Sequence, residues 1–463
     1  MTDYDAIIIG SGIGGTAVGL LLASKKFKIL LLEKNDIVGG RCSSYEKEGF
    51  KVDIGVHSFA RSDKGPLHKI LNMTDMEQAI SWETIKSGDP RWYYKGNFHQ
   101  FPKDLRKLLP GKDYSDILRL ISEATRIRNT NELDAIDLKS WLNQFTDNTL
   151  IHSYFNIISQ LYFVIPYNLV STGEFLRCLG SLNKYQSIGY PKGGCIAIPL
   201  AYIQGIKKYE GVVETGTTVN KIIIDENQVQ GVELDNGKSI YSNIVISNSG
   251  FKHTINDLVG KTYFEEGFLK KVDEFKYSFS AITFKLALKK PITSHKIIIS
   301  FVSENPEERF KNIINGQVPD EIDFFIPVPS NYDPDVAPKG KQLIIAGTVV
   351  PKESFQKNKD LWIKNSINTL EKIFPKLSDH LLWYDITTPI DLERMYGKEG
   401  SVVGICQNTN QTGSNRPPIS LPIKGLYMVG GDAGGWGIGT ELAAKSALEC
   451  SEIILQKRNK NLE

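Results

Sequence analysis

The stretch Ala6-Ile7-Ile8-Ile9-Gly10-Ser11-Gly12-Ile13-Gly14-Gly15 decides the fold. An apolar, β-branched run enters a glycine-rich turn, and Thr16 to Ser24 continues with a helical pattern. Ile29 to Leu32 reads as a second strand, which Glu33 closes. This is the order of a βαβ dinucleotide fingerprint, in which each part has a physical task. Gly10 permits the tight turn, Gly12 lets backbone N–H groups approach a pyrophosphate, and Gly15 lets helix and strand pack closely. The positive end of the helix then faces the phosphates, and the Glu33 carboxylate is placed to accept from ribose hydroxyls. Gly10, Gly12, Ile13, Gly14 and Gly15, with Glu33 and Lys34, are the candidate contacts to an adenine dinucleotide.

Composition narrows the class. The 463 residues suffice for two domains with sizeable cores. With 41% hydrophobic and 23% charged residues, neither disorder nor a membrane-embedded bundle is expected. A formal charge of +2 gives no electrostatic case for nucleic acid. The acidic start Met1-Thr2-Asp3-Tyr4-Asp5 runs directly into a strand, so no signal peptide is expected, and no apolar run reaches transmembrane length. Cys42, Cys178, Cys195, Cys406 and Cys450 are odd in number and form no CxxC pair, which predicts a reducing, cytoplasmic setting. HExxH, the P-loop and clustered His/Cys motifs are absent, so no metal is expected.

Further along, Gly39-Gly40-Arg41 follows the ribose acid, with Gly40 allowing close approach and Arg41 offering a fork of donors to phosphate or flavin oxygens. Phe50-Lys51-Val52-Asp53-Ile54-Gly55-Val56-His57 comes next, and later Tyr190-Pro191-Lys192-Gly193-Gly194 and Thr217-Thr218-Val219-Asn220-Lys221-Ile222. Gly400-Ser401, Arg416-Pro417, Gly425 to Asp432 and Gly434-Gly435-Trp436-Gly437-Ile438-Gly439-Thr440 complete the series. In this order the segments resemble the FAD-binding phytoene desaturases, carotenoid isomerases and retinol saturases of the amine oxidase superfamily. The resemblance implies FAD and an α/β architecture. A Rossmann-like FAD-binding domain (1–61, 184–249 and 400–463) would be interleaved with an α+β substrate domain (62–183 and 250–399). It further implies that Val219 holds adenine through its backbone and that Asp432 touches the pyrophosphate or ribityl chain. Gly437, Ile438, Gly439 and Thr440 would bring a helix start to the flavin N1 and C2=O. The segment after Asp432 is shorter than the family's T-H-P-G-G form.

The inserts have their own patterns. Asp113–Arg128 and Thr149–Phe163 read as amphipathic helices, and Ser171-Thr172-Gly173-Glu174 as a capping box, so 62–183 is expected to be a helical cap. Ser280–Leu288, Lys296–Phe301, Ile322–Pro327 and Gln342–Val350 read as strands of an antiparallel sheet, followed by a helix from Asp360 to Phe374. Within the first domain, Val212–Thr215, Thr217–Asp225, Gln228–Leu234 and Ser239–Ser247 read as a β-meander.

The resemblance implies hydride transfer at flavin N5 to or from carbon–carbon bonds of a lipophilic isoprenoid polyene. His57 is then a candidate beside the flavin, and Lys285 a counterpart of the lysine near N5 in amine oxidases. A flavin amine oxidase is the alternative, with Trp436 joined by Tyr427 or Tyr190 in an aromatic cage. A non-catalytic prenyl-binding protein similar to Rab GDP dissociation inhibitors is a third reading, against which the intact Gly10–Gly15 turn and Glu33 argue. Lys103, Arg106, Lys107, Lys112, Arg119, Arg126 and Arg128 alternate with apolar residues. They read either as a peripheral membrane-docking face or as an ordinary solvated face.

Overall fold

A computed structural model describes residues 2–85, 88–185, 187–302 and 304–460. Met1 of the acidic leader and 461–463, at the end of the expected first domain, lie outside the described residues. Strand β1 (Ala6–Ile9) is the centre of a five-stranded sheet. It pairs on one side with β2 (Ile29–Leu32), which pairs with β3 (Val212–Glu214). On the other side it pairs with β4 (Val245–Ser247), followed by β5 (Leu426–Met428). Every pairing is parallel, and β1, β2, β4 and β5 are buried along their length. This explains why β1 and β2 read as unbroken apolar runs rather than alternating ones.

Helix α1 (Ile13–Ala23) is buried at all its residues. It is apolar all round because it is covered by the sheet, by α3 (Ala197–Lys208) and by the C-terminal α4 (Gly439–Lys460). Gly15 is fixed by this packing: a Cβ there would stand 2.0 Å from the Gly10 carbonyl oxygen. Helix α2 (Thr172–Tyr185) belongs to the cap and starts where the capping box predicts.

The meander differs from its expected form. Ser239–Ser247 is two strands, not one: Ser239–Tyr241 closes a three-stranded antiparallel sheet with Val219–Asp225 and Gln228–Leu234, whereas Val245–Ser247 is β4 of the parallel sheet. Ser242 makes the break, its N–H donating to Gln230 O (2.9 Å) and its hydroxyl to Ile244 O (3.0 Å). Val212–Glu214 likewise leaves the meander to become the edge strand β3.

The second sheet has seven strands, in the order 381–387, 280–288, 342–350, 324–327, 297–300, 91–94, 97–99. The last two come from the insert expected to be helical, and 297–300 pairs with 91–94 in parallel, so the sheet is mixed. Alternation along these strands divides two environments. Ile282, Phe284, Ile298, Phe324 and Ile326 pack with Trp362, Leu370 and Ile373 of the helix Lys359–Ile373. Ala281, Thr283, Ile297, Ile299 and Phe325 face a cavity on the opposite side. Opposite that face stands the cap helix Thr149–Phe163, whose Gln160, Leu161 and Tyr162 reach the same cavity.

Candidate dinucleotide and substrate site

The carboxyl edge of the parallel sheet opens into a cavity of about 870 Å³, toward the upper end of small-molecule sites. Gly10, Gly12, Ile13 and Gly14 form one wall with Glu33 and Lys34; Gly40 and Arg41 follow, then Val219 beside Thr217 and Thr218. Ile438, Gly439 and Thr440, at the start of α4, close the far side. Gly15, Asp432 and Gly437 stand behind this wall rather than in it.

The cradle suits a dinucleotide. A Cβ on Gly12 would lie 2.6 Å from Asn248 Nδ2, and one on Gly14 would lie 2.6 Å from the Gly430 backbone nitrogen. Bare backbone at the amino end of α1 is what phosphate oxygens need. Asn248 escaped the sequence reading. It follows β4 at the carboxyl edge of the sheet, the position where ligands gather in such folds. Glu33 is buried, and its carboxylate takes four protein donors. Ser11 N–H (2.8 Å) and Oγ (2.7 Å) reach one oxygen; Asn35 N–H (3.0 Å) and Nδ2 (2.9 Å) reach the other.

Lys34, Arg41, Lys252 and Lys398 border the cavity, and two of them are fixed by buried partners. Arg41 Nη1 donates to Ser401 O (2.9 Å) and Val402 O (2.6 Å), which fixes its guanidinium; burial lowers its pKa. Lys398 Nζ pairs with Asp432 at 2.9 Å. Asp432 also accepts the N–H groups of Phe251 and Ile405, each at 3.0 Å. Burial opposes a charge on this carboxyl, but Lys398 and the Phe251 N–H outweigh it and hold the pKa below the ordinary range. In this arrangement Asp432 holds Lys398 and two loops in place from behind the wall.

Glu174 does something similar from the cap. Only half of the capping box forms. Ser171 Oγ accepts the Glu174 N–H (3.2 Å), but the Glu174 carboxylate turns away and accepts from Gly437 N–H (2.8 Å) and Gln407 Nε2 (3.0 Å), with Arg177 Nε at 3.0 Å. The N–H of Gly437 is therefore engaged by protein. The residues after it, Ile438, Gly439, Thr440, Glu441 and Ala443, present the start of α4 to the cavity.

Of the three candidate catalytic side chains, His57 lines the cavity, stacked on Phe59 at 5.9 Å. Its buried Nδ1 has no hydrogen-bond partner. Lys285 follows Ala281 and Thr283 on the same strand face but lies past the cavity wall, where its ammonium donates to Thr387 Oγ1. Burial lowers its pKa to about 7, against the opposing pull of Asp385, Asp391 and Asp53. Trp436 is 38% exposed, with Lys445 Nζ 2.9 Å from its ring centroid. The expected cage is not assembled in the cavity: Tyr427 is buried in β5, and Tyr190 donates its hydroxyl to Asp53.

The comparisons with known proteins agree with this geometry. Residues 8–73 match the model of the NAD(P)-binding Rossmann-like domain. The chain is 25% identical to the all-trans-retinol 13,14-reductase of Danio rerio, covering 100% of this chain and 87% of that protein. It is also 25% identical to the chloroplastic prolycopene isomerase of Daucus carota, over 98% of this chain and 80% of the other. A third relative is the phytoene desaturase of Fusarium fujikuroi, at 25% identity over 73% of this chain and 65% of the relative. The chain is a homologue of these polyene enzymes. Among solved structures, an oxidoreductase from Methanosarcina mazei superimposes with a TM-score of 0.78 at 22% identity, covering 96% of this chain and 99% of the other. A triple mutant of putrescine oxidase superimposes with a TM-score of 0.73 at 13% identity, over 98% and 99% of the two chains, which shows a shared fold. Among the described residues, no helix is long and apolar enough to cross a membrane.

Proposed function

We propose that this homologue binds FAD and acts as an oxidoreductase on the carbon–carbon bonds of a lipophilic polyene. One observation carries the reading: a single cavity runs from the Gly10–Gly14 and Glu33 cradle to apolar residues of both inserts. Bound there, FAD supplies hydride transfer at N5 of its ring. The chain's own residues bind, orient and exclude water. Glu33 accepts from the adenosine ribose, whose hydroxyls exchange with the side-chain donors of Ser11 or Asn35. Val219 borders the adenine, and Arg41 and Lys398 offset phosphate charge. The start of α4 at Ile438–Thr440 turns oriented N–H groups toward the ring end, where negative charge is favoured. Leu161, Val164, Ile297, Ile299, Phe325 and Val349 offer a hydrocarbon a dry wall, and such a substrate needs positioning more than charged groups.

Membrane contact belongs to the same reading, since a polyene is drawn from a lipid phase. Leu118 and Ile121 are exposed on the helix Gly111–Arg126. Lys107, Arg119 and Arg126 each pair with an acid one turn away, so an apolar contact fits this face better than a purely electrostatic one. The test is anaerobic mixing of the purified protein with polyenes and with simple amines while flavin absorbance is followed. FAD released on denaturation and a flavin that responds to polyenes support the reading, and Leu161→Asp should abolish that response while leaving the flavin bound. A colourless protein that cannot be reconstituted with FAD refutes it. Flavin reduced by amines and silent to polyenes replaces it with the amine oxidase reading.

A further inference from the structure

The fold gathers three metal-ligating side chains that the sequence keeps apart. Cys42 follows the Gly39-Gly40-Arg41 turn, His57 lies in the loop after the Phe50–Asp53 strand, and Cys195 leads into α3. The two sulfurs and one imidazole nitrogen all lie within 4.8 Å of one another. Tetrahedral zinc, with bonds of about 2.3 Å to sulfur and about 2.0 Å to nitrogen, asks for ligand separations of about 3.5–3.8 Å, a contraction that side-chain rotation can supply. Both cysteines are buried, and His57 carries an unpartnered, buried Nδ1.

The surroundings favour a cation. Asp53 is buried beside the cluster, held by the Ser44 hydroxyl (2.6 Å), the Tyr190 hydroxyl and the Cys195 N–H (3.1 Å), all neutral donors. It anchors the backbone of one ligand, the kind of outer support that metal sites use. The thiols now donate weakly to the Cys195 and Ser43 carbonyls at 3.3 Å, contacts that a metal–thiolate bond replaces.

We propose that Cys42, His57 and Cys195 form a site for a soft divalent cation of the zinc type, with a fourth position open toward the cavity that Cys42 and His57 line. Three protein ligands and one open position match the zinc sites that keep a water or another oxygen ligand. The site clamps the phosphate-side turn, the His57 loop and the start of α3 together. It does not depend on which cofactor or substrate fills the cavity.

The test uses the full chain freed of any affinity tag, stripped with chelator and titrated with Zn²⁺ or Co²⁺ alone. The expected result is about one equivalent bound per chain. The cobalt difference spectrum should show thiolate-to-metal charge transfer and the intense visible bands of a tetrahedral site. Cys42→Ser, Cys195→Ser and His57→Ala should each lose the stoichiometric site, and Cys406→Ser should keep it. The wild-type cobalt spectrum decides the matter even where a variant fails to fold. A featureless spectrum overturns the proposal. So does metal retained by all three variants, or a Cys42–Cys195 disulfide in wild-type protein that binds no cation.

Discussion

Replacing Glu174 with alanine should separate two roles of the cap, covering the cavity and fixing the helix start that borders it. Glu174 is 0% exposed. Its carboxylate accepts from Gly437 N–H (2.8 Å) and Gln407 Nε2 (3.0 Å) and pairs with Arg177 (3.0 Å), joining the cap to the two segments that meet at the start of α4. Hydrogen bonds to a charged group contribute about 1.5–3 kcal/mol each. Removing one partner of a buried ion pair costs about 3–5 kcal/mol. Arg177 keeps Asp134 at 2.6 Å, which recovers part of the loss, so Glu174→Ala should cost about 3–5 kcal/mol in all. Glu174→Gln retains an acceptor for Gly437 and Gln407 but loses the charge and turns an amide nitrogen toward the Arg177 donor, and should cost about 1–3 kcal/mol. Urea unfolding at a fixed FAD concentration measures both values, since ligand linkage would otherwise shift the midpoints. Because Gly437 sits at φ +133°, a conformation few side chains adopt, release of its N–H should also let residues 438–440 move. FAD affinity and flavin reduction potential should then fall in the alanine variant and recover in the glutamine variant. A cost below about 1 kcal/mol, smaller than one charged hydrogen bond, would refute the reasoning. So would a large cost with affinity and potential both unchanged.

Three further outcomes follow from the same geometry. Glu33→Gln should weaken FAD binding about ten- to a hundredfold by equilibrium titration, because an amide nitrogen would face the donors of either Ser11 or Asn35; unchanged affinity would remove Glu33 from the site. Gly15→Ala should lower the melting temperature and the flavin content together, since its Cβ would meet the Gly10 carbonyl; lost flavin with an unchanged apoprotein melting temperature would place Gly15 in direct contact with the ligand instead. Lys285 titrates near 7 when folded against an ordinary 10.5, so between those values the unfolded chain holds a proton that the folded chain lacks, and stability from this group rises with pH. The stability advantage of Lys285→Met should therefore shrink by about 1.4 kcal/mol per pH unit across that window, and a difference from wild type that does not vary with pH would contradict the burial argument.

What was legible in the sequence was what local physics determines. The β1–turn–α1 unit could be read because glycine placement, a β-branched run and a closing acid are all local signals. The Thr149–Phe163 helix has the bounds that its apolar pattern predicts, although His152, Ser153, Asn156 and Ser159 are buried with Leu150 and Ile158 while Tyr154, Phe155, Leu161 and Tyr162 are only half-buried. The break at Ser242 was not legible, because one apolar stretch serves two sheets and the division is set by Gln230, brought there by another strand. Strands 91–94 and 97–99 carried a signal that went unread. Lys95 and Gly96 both adopt positive φ (48° and 76°), the geometry of a two-residue hairpin turn, and a glycine at the second position hints at it. The parallel pairing to 297–300 had no local signal.

The same distinction explains the site. Residues suited to meet a ligand through backbone sit in glycine-rich motifs that the sequence displays, and Gly10, Gly12, Gly14, Gly40 and Gly439 all line the cavity. Residues that work through other residues have no motif, because their partners are set by tertiary packing. Asp432, expected to touch a ligand directly, stands behind the cavity wall in the structure and holds Lys398. Glu174 was read as a local cap, yet its carboxylate reaches Gly437 on the far side of the chain. Cys42, His57 and Cys195 carry no recognisable spacing, and only the fold makes them neighbours. Each buried charge in this group is met by donors from a different chain segment, so its energy is a statement about how the inserts sit on the dinucleotide domain. Altering Glu174 or Asp432 thus tests the assembly of the cavity, whereas altering Glu33 tests its occupant.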